Sequence, residues 1–390
     1  MKKILPIILA ILMLLGASGS VFAVYKPASV TNNKFGIHIT DSNDLIDAAN
    51  LVNGGGGDWG YVTFVIQKGE RDTARWTEVF KRLRELHLVP IVRVATKPIL
   101  SFWERPSIDE IDGWVSFLDS LPWPTKNRYV LVGNEPNHAQ EWGGNLRPKE
   151  YASYLVEFSA KLKKQSDKFY VLGAGFDSSA SNSFFSMDEE YFIRQMILAE
   201  PKVFDSVDGW ASHSYPNPGF TGSETDTGRR SISSYKWELE LLKSLGVDRD
   251  FDVFITETGW AHNVKAEIYN NVDPADVGRR FDYAFNNVWN DEKVIAVTPF
   301  ILNYGFWPFD IFSWKDKEGN YYDFYYQVMN MPKERGNPIL EPTPTPIPSP
   351  SASPMPAPIP ESTPIAKEGP IKGFFSKIRA FLLQYVHLSP

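Results

Sequence analysis

The sequence of 390 residues contains no cysteine and only six histidines. Without thiols the chain forms no disulfide, carries no thiolate nucleophile and lacks the ligands of most zinc sites. The histidines are scattered singly, without a His-x-x-x-His pair, so we expect neither a bound metal nor another cofactor. Lysine and arginine form no cluster in the body of the chain, and the formal net charge is -7. This balance argues against a nucleic-acid partner, which needs a basic surface.

Apolar and aromatic side chains are abundant. Hydrophobic residues make up 43% of the sequence, enough for a sizeable core, and aromatic residues reach 14%, with 12 Trp and 17 Tyr. Sugars stack their C–H faces on such rings, so the excess favours a neutral carbohydrate ligand. The alternative, which the composition fits equally well, is that the rings fill a large core.

The first 23 residues have the three-part layout of an export signal. Lys2 and Lys3 precede an apolar run over residues 4–15, and small residues then lead to Ala23. We therefore expect a signal peptide over residues 1–23 and a protein that is secreted or attached to the cell surface or envelope. The alternative is an uncleaved membrane anchor, because the apolar run approaches the ~20 residues of a membrane-spanning helix.

Between residues 30 and 337, short β-branched or aromatic runs alternate with amphipathic stretches. The runs predict eight strands, at residues 35–39, 59–66, 90–94, 129–132, 170–174, 207–211, 253–256 and 294–301. The amphipathic stretches predict helices, with proline in the first turn after Arg147 and Asp273 and a capping box at Ser107–Glu110. Alternating strands and helices require a parallel sheet. Eight such units fit an α/β fold of the (β/α)8 TIM barrel type better than an open sheet.

The composition changes after residue 337. Residues 338–370 are dominated by proline, which forms neither helix nor central strand, and they predict an extended linker. Residues 371–390 combine Phe374, Phe375 and Phe381 with basic side chains in an amphipathic pattern. We expect this tail to associate with a membrane surface or a cell-envelope partner. The alternative is that it associates with itself or docks on the barrel.

Two of the predicted strands end in a glutamate. The stretch "YVLVGNEP" brings Asn134 and Glu135 to the end of the fourth strand, and "VFITETGW" brings Glu257 to the end of the seventh. All strands of a barrel end at one mouth, where such folds carry their chemistry, so acids remote in sequence meet across one cavity. Two carboxyl groups are what cleavage of a glycosidic bond requires, one to protonate the leaving oxygen and one to attack the sugar.

A third motif, "ASHSYP", places His213 and Tyr215 after the sixth strand. With these three motifs the chain resembles clan A of the glycoside hydrolases, the (β/α)8 retaining enzymes that include many cellulases, mannanases and xylosidases. The resemblance covers most of the barrel in strand order and implies that Glu135 is the acid/base and Glu257 the nucleophile. Asn134 would hold the substrate 2-hydroxyl. Tyr215 would keep the nucleophile ionised by hydrogen bonding, while a less solvated Glu135 would keep its proton.

Five further residues are candidates for substrate contact. The resemblance implies an arginine that supports the nucleophile, and Arg93 matches it best, although it lies on the predicted third strand where many relatives use the second. The resemblance also implies a tryptophan floor after strand eight, for which Trp307 and Trp314 are alternatives. Trp260, beside the nucleophile motif, lines the site or packs in the core. His38, at the end of the first strand, contacts substrate or is a structural histidine.

These observations predict a monomeric retaining β-glycosidase acting on an oligo- or polysaccharide, and a transglycosylase is a near variant. The alternative from another class is a noncatalytic glycan-binding or cell-envelope scaffold protein on the same barrel. The presence of both glutamates with their neighbours favours the enzyme. A sugar-phosphate enzyme would need a glycine-rich, basic loop after the last strands, whereas residues 298–310 are aromatic.

Overall fold

The computed structural model describes residues 24–262 and 272–342. The predicted signal or anchor segment, most of the predicted linker and the predicted tail lie outside these residues. The barrel strands are β1 (Gly36–Ile39), β2 (Gly60–Gln67), β3 (Leu88–Ala95), β4 (Arg128–Val132), β5 (Phe169–Gly173), β6 (Trp210–His213), β7 (Val253–Glu257) and β8 (Val294–Val297). Each strand is followed by a helix: α1 (Leu45–Asn53), α2 (Thr73–Glu85), α3 (Ile111–Asp119), α4 (Pro148–Gln165), α5 (Glu189–Ala199), α6 (Ser234–Ser244), α7 (Pro274–Tyr283) and α8 (Asp323–Asn330).

The strands close into a ring. Strands β1 to β5 form one parallel sheet and β6 to β8 another. Parallel bridges between Leu172 and Gly209, and between Phe35 and Val297, join the two sheets at both edges. The result is a closed (β/α)8 barrel with its helices outside, as predicted, so all strand ends surround one mouth.

Aromatic side chains fill the barrel interior. The ring of Tyr129 lies 5.0 Å from that of Tyr170 and 5.3 Å from that of Phe254, and Tyr61 approaches Tyr129 at 6.1 Å. The Tyr61 hydroxyl donates to the side-chain oxygen of Asn32 at 2.7 Å. Such rings bury a large apolar area while their hydroxyls keep a hydrogen bond. The interior is therefore a packed core that supports the mouth from below.

Two predicted strands differ from the structure by more than two residues at one end. Strand β6 begins at Trp210 because Asp208, just before it, is bonded to β5 through both its backbone N–H and its carboxylate, which contact Val171. Strand β8 ends at Val297 because the chain then turns into the mouth, where Phe300 donates its backbone N–H to Thr258.

The predicted capping box at Ser107–Glu110 is wrong. The Ser107 hydroxyl accepts from the Asp109 N–H at 3.3 Å, but residues 108–110 form a single 3₁₀ turn and α3 begins only at Ile111. The Glu110 carboxylate pairs with Lys68 instead of returning to the Ser107 backbone. A tertiary ion pair has therefore replaced the local contact.

The base of the barrel binds part of the segment that composition assigns to the linker. The Lys126 N–H donates to the carbonyl of Ile339 at 2.7 Å, and Lys168 forms an ion pair with Glu341 at 2.9 Å. The ordered barrel unit thus extends to residue 341, on the face opposite the mouth. None of the helices in the described part of the chain is long and apolar enough to cross a membrane.

Candidate active site

The turn after β4 fixes the backbone of Glu135. Gly133 has φ +92° and Glu135 has φ +29°, a region that residues with a side chain rarely adopt. Two hydrogen bonds hold this conformation: the Glu135 N–H donates to the carbonyl of Gly175 at 3.0 Å, and the His138 N–H donates to the carbonyl of Glu135 at 2.8 Å. Glycine is needed where the strand breaks, and the acid side chain that follows is held at the mouth.

Glu257, the last residue of β7, is held by two donors. Arg93 Nη1 donates to Glu257 Oε1 at 2.7 Å, and the Tyr215 hydroxyl donates to Oε2 at 3.2 Å. Arg93 lies on β3, so the strand count was correct and the arginine contacts the predicted nucleophile from the third strand. Each carboxylate oxygen of Glu257 thus has a fixed hydrogen-bond partner.

His213 lies between the two glutamates. Its Nδ1 is 2.8 Å from Glu135 Oε1 and 3.9 Å from Glu257 Oε2, and the ring is fully buried. One oxygen from each glutamate and this nitrogen all lie within 4.8 Å of one another. The structure therefore brings the two predicted catalytic acids together across the mouth.

The charges around Glu257 keep it ionised. Burial raises its pKa, but the positive charges of His213 and Arg93, with the Tyr215 hydroxyl, outweigh burial and leave the pKa below its ordinary value. The pKa of His213 is shifted the other way: burial lowers it, and Glu257 and Glu135 together raise it above its ordinary value. We therefore expect an ionised Glu257 beside a His213 imidazole that readily gains a proton.

The prediction that Glu135 is the less solvated acid is wrong. Its side chain is 23% exposed, against 11% for Glu257. The physical reason is that Glu257 is enclosed by Arg93 and Tyr215, whereas Glu135 stands on the open side of the mouth with His213 as its close partner. The close contact of Glu135 is therefore the His213 imidazole, and solvent reaches its carboxyl group from the open side.

Asn134 is also oriented by its neighbours. Arg93 Nη1 donates to its side-chain oxygen at 2.5 Å, and the carboxylate of Glu141 accepts a hydrogen bond from its amide. One N–H of the amide remains available to a ligand hydroxyl. Burial raises the pKa of Glu141 to about 7, with Arg93 opposing and Glu135 adding to the shift.

Sequence analysis missed Glu141 and an ion pair next to it. His138 Nε2 lies 2.9 Å from Asp177 Oδ2. Burial lowers the pKa of His138, but the hydrogen bond and charge of Asp177 raise it to about 9. The motif "NEPNHAQEW" carries both His138 and Glu141, so their nearness to Glu135 along the chain was the available signal, whereas Asp177 comes from the loop after β5.

Of the three tryptophans predicted as candidates for substrate contact, two lie in the hydrophobic core and one lies on an exposed loop. Trp314 is buried against Phe281 and Phe324 on helices α7 and α8, and Trp260 is buried with its indole N–H donating to Gly222. Both are part of the hydrophobic core. Trp307 lies on the loop after β8 and is 41% exposed.

The aromatic ring at the end of β8 is Phe300. Its centroid lies 5.1 Å from the imidazole of His38, and it also contacts Phe309 and Phe312. Burial and the charge of Arg93 lower the pKa of His38 to about 3, so this histidine is neutral. Neither of its ring nitrogens has a hydrogen-bond partner among the described residues. His38 therefore lies near enough to Glu257 to interact with its charge, and the aromatic ring beside it is a phenylalanine and not one of the predicted tryptophans.

Glu135, His213 and Glu257 also form the group of described acids and histidines close enough to share a cation. The Arg93 guanidinium at 2.7 Å from Glu257 opposes a metal ion there. The chemistry of the donor set thus fits a proton-transferring pair of acids better than a metal centre.

No family model matches the sequence, and no curated protein matches it. Solved structures do match. A glucosidase from Croceicoccus marinus aligns with TM-score 0.54 and 11% identity, covering 82% of this chain and 73% of that one. An endo-laminarinase from Formosa aligns with TM-score 0.52 and 17% identity, covering 80% and 92%.

An endo-1,4-β-mannanase from Eisenia fetida aligns with TM-score 0.50 and 12% identity, covering 80% of this chain and 95% of that one. The chain has the fold of the clan A glycoside hydrolases. At these identities the likeness concerns the fold, and at that level it confirms the resemblance identified from the three sequence motifs.

Proposed function

We propose that this protein is a retaining glycoside hydrolase that cleaves β-glycosidic bonds of an oligo- or polysaccharide by double displacement. The observation that carries the proposal is the approach of Glu135 and Glu257 across the mouth, with carboxylate oxygens within 4.8 Å. Retaining enzymes hold their carboxyl groups about 5 to 5.5 Å apart, and inverting enzymes need roughly 6.5 to 9.5 Å to admit a water molecule. The separation supports the retaining mechanism.

In the first step, the Glu257 carboxylate attacks the anomeric carbon and forms a covalent glycosyl ester. The bond from that carbon to the glycosidic oxygen breaks, and the oxygen takes a proton from Glu135. Arg93 and Tyr215 supply fixed donors to the attacking carboxylate, which keep it ionised and oriented. Asn134 offers its free amide N–H to the sugar 2-hydroxyl, as the resemblance implies.

In the second step, Glu135 accepts a proton from water, whose oxygen attacks the anomeric carbon and releases Glu257. The product regains the β configuration. His213 bonds to Glu135 at 2.8 Å, so it holds the acid in place through both steps. The exposure of Glu135 gives the incoming water access to it.

A panel of aryl β-glycosides and β-glycans, with laminarin and mannan among them, tests the proposal. We expect the parent protein to hydrolyse at least one member, with Glu257→Ala inactive and Glu135→Ala active only on glycosides with good leaving groups. A parent protein that binds glycans but hydrolyses none would support the scaffold function instead.

Azide distinguishes the roles of the two acids. With Glu135→Ala on an activated aryl glycoside, azide should restore turnover and yield a β-glycosyl azide, because it attacks the ester formed on Glu257. An α-glycosyl azide from this variant would mean that the roles are reversed.

We also propose that the protein is exported, on the basis of the signal-like layout of residues 1–23. The N-terminal sequence of protein recovered from the producing cells tests this. A start at residue 24 indicates a cleaved signal, and an intact N-terminus in the membrane fraction indicates an anchor.

A further inference from the structure

Strand β6 and the two residues that follow it, Ser214 and Tyr215, have two chemically different faces. His213 and Tyr215 point into the mouth, where they contact Glu135 and Glu257. Trp210 and Ser212 on β6, and Ser214 just after it, point away from the mouth toward helix α6. Serine hydroxyls are unusual between a barrel and its helices, where apolar side chains normally pack. A shared hydrogen-bond acceptor accounts for these serines.

The partner is Glu238 on helix α6. Its carboxylate accepts from the indole N–H of Trp210 at 2.5 Å, from the Ser212 hydroxyl at 2.9 Å and from the Ser234 hydroxyl at 3.3 Å. Ser214 joins the same group, with its hydroxyl 2.8 Å from that of Ser212 and 3.0 Å from that of Ser234. Trp210 and Ser212 therefore bond directly to the Glu238 carboxylate, and Ser214 is linked to it through other serine hydroxyls.

The network reaches the nucleophile strand as well. The hydroxyl of Thr258, the residue after Glu257, donates to the carbonyl of Ser214 at 2.6 Å. The ends of β6 and β7 are thus fastened to each other one residue away from each functional side chain. A shift of the Ser212–Ser214 backbone moves His213 and Tyr215 together and pulls on Glu257.

A neighbouring acid shows that burial alone does not explain Glu238. Glu189 on α5 is 0% exposed and Glu238 is 1% exposed. Neither carboxylate oxygen of Glu189 has a hydrogen-bond partner among the described residues, whereas Glu238 accepts from three donors. The two acids have the same chemistry and burial but differ in their contact with β6. The charge of Glu238 also raises the pKa of Glu189, so the two acids are near each other, and Glu189 serves as the control for a buried acid without a bond to β6.

We propose that Glu238 is a positioning residue for the catalytic site: by holding the outer face of β6, it places His213 against Glu135 and Tyr215 against Glu257. The inference rests on the proposed function. It predicts that the carboxylate acts on turnover and not on substrate affinity, because Glu238 lies behind the strand and contacts no ligand. A displacement of about 1 Å in a catalytic group costs up to about 100-fold in rate.

The test compares Glu238→Leu with Glu189→Leu. In Glu238→Leu the Trp210 N–H and the serine hydroxyls lose their acceptor, and we expect kcat to fall about 10- to 100-fold with KM nearly unchanged. In Glu189→Leu no hydrogen bond is lost, and we expect kcat within about 2-fold of the parent with an equal or higher Tm. If kcat in the two variants simply followed Tm, the positioning role would be overturned.

Glu238→Gln supplies the conservative rescue. The amide oxygen accepts from Trp210, and its NH₂ group donates to the serine hydroxyls, which rotate to accept. We expect kcat to return to within about 5-fold of the parent. If Glu238→Leu does not fold, Ser212→Ala removes one tie from the strand, and an unchanged kcat in that variant would contradict the proposal.

A readout independent of activity separates this inference from the proposed function. The imidazole ¹⁵N signals of His213 report its hydrogen bond to Glu135. We expect them to shift in Glu238→Leu and to stay in place in Glu189→Leu. A parent protein inactive on every glycoside would remove the proposed function, but the ¹⁵N comparison would still decide whether Glu238 positions His213. Unshifted signals in Glu238→Leu would overturn the inference.

Discussion

The mouth has two halves, a β4 half with Glu135 and a β7 half with Glu257, and each glutamate has different hydrogen-bond partners. Glu257 has a guanidinium on one oxygen and a phenol on the other, and the net effect of its surroundings lowers its pKa. Glu135 has twice the exposed fraction and a single imidazole as its close partner. The β7 half therefore favours an ionised Glu257, and the β4 half places Glu135 against a single imidazole.

The comparison indicates that the proposed roles of the two glutamates depend on their hydrogen-bond partners and not on their exposure to solvent. An arginine cannot give up its proton, so it keeps its neighbour ionised, whereas a histidine titrates in the same range as enzymatic catalysis. Two glutamates within 4.8 Å of each other can thus carry out opposite functions. The following changes, from the largest expected effect to the smallest, test this difference.

Removing the charge of the β7 half should have the largest effect. Glu257→Gln keeps the size of the side chain but removes the nucleophile, and we expect kcat on an aryl β-glycoside to fall about 10⁴-fold or more. The control is Glu78→Gln, which changes an exposed glutamate on α2. A Glu257→Gln variant within 10-fold of the parent would exclude the assigned role.

Removing the arginine should make the two halves more alike. Arg93→Met deletes the donor to Glu257, and we expect kcat/KM to fall about 10²- to 10³-fold. The sign of the pH effect follows from the loss of a positive charge: the pKa of Glu257 rises, so activity is lost at a higher pH on the acidic limb. The pH profile of kcat/KM measures this, and an unmoved acidic limb would contradict it.

Gly175→Ala should disturb the β4 half most directly. A Cβ at this position would lie 2.2 Å from Cδ2 of His213, so the imidazole must move away from Glu135. We expect kcat to fall about 10- to 100-fold. Gly69→Ala is the control, because a Cβ there meets no atom within 4 Å. Equal kcat in the two variants would mean that the position of His213 does not matter.

Tyr215→Phe should weaken the β7 half without abolishing it. The variant loses one hydrogen bond of 3.2 Å to Glu257 while Arg93 remains. We expect about a 10-fold loss of kcat, because one hydrogen bond to a charged group contributes about 1.5 kcal/mol. Steady-state kinetics measure the loss. A loss as large as that of Arg93→Met would mean that the phenol contributes as much as the guanidinium.

Glu141→Gln should have the smallest effect on rate. The amide oxygen can still accept from Asn134, so we expect kcat/KM within about 5-fold of the parent. The pKa of Glu141 is about 7, so the parent gains a negative charge near Glu135 as the pH passes that value. An inflection near pH 7 in kcat/KM should therefore disappear in the variant. Its persistence would assign it to another group.

Much of the fold follows from local patterns. Short β-branched or aromatic runs predicted all eight strands. The breaks "GNEP" and "TETG" placed two acids at strand ends, which a parallel barrel brings to one side. Boundaries that depend on tertiary contacts were missed. Strand β8 is shorter than its apolar run because Phe300 turns into the mouth, and the Glu110 cap was replaced by an ion pair with Lys68.

The candidate site was predictable where one motif carried the whole signal. Asn134 and Glu135 are adjacent in the chain, and Tyr215 follows two residues after His213, the last residue of β6. The aromatic ring beside His38 was not predictable, because Phe300, Trp307 and Trp314 all follow β8. The path of the chain after β8 decides which of these rings lies beside His38. Glu238 gave no signal, because a glutamate on an amphipathic helix normally faces water.

The sequence by itself determined the alternation of strands and helices and the position of each acid at the end of its strand, since both depend on residues close together in the chain. The tertiary structure alone decided which partners the acids have. Arg93 meets Glu257, His213 meets Glu135, and the outer face of β6 meets Glu238, each across 28 to 164 residues of chain. Such contacts arise when the ring closes and side chains from distant strands share one small volume, so no local pattern encodes them.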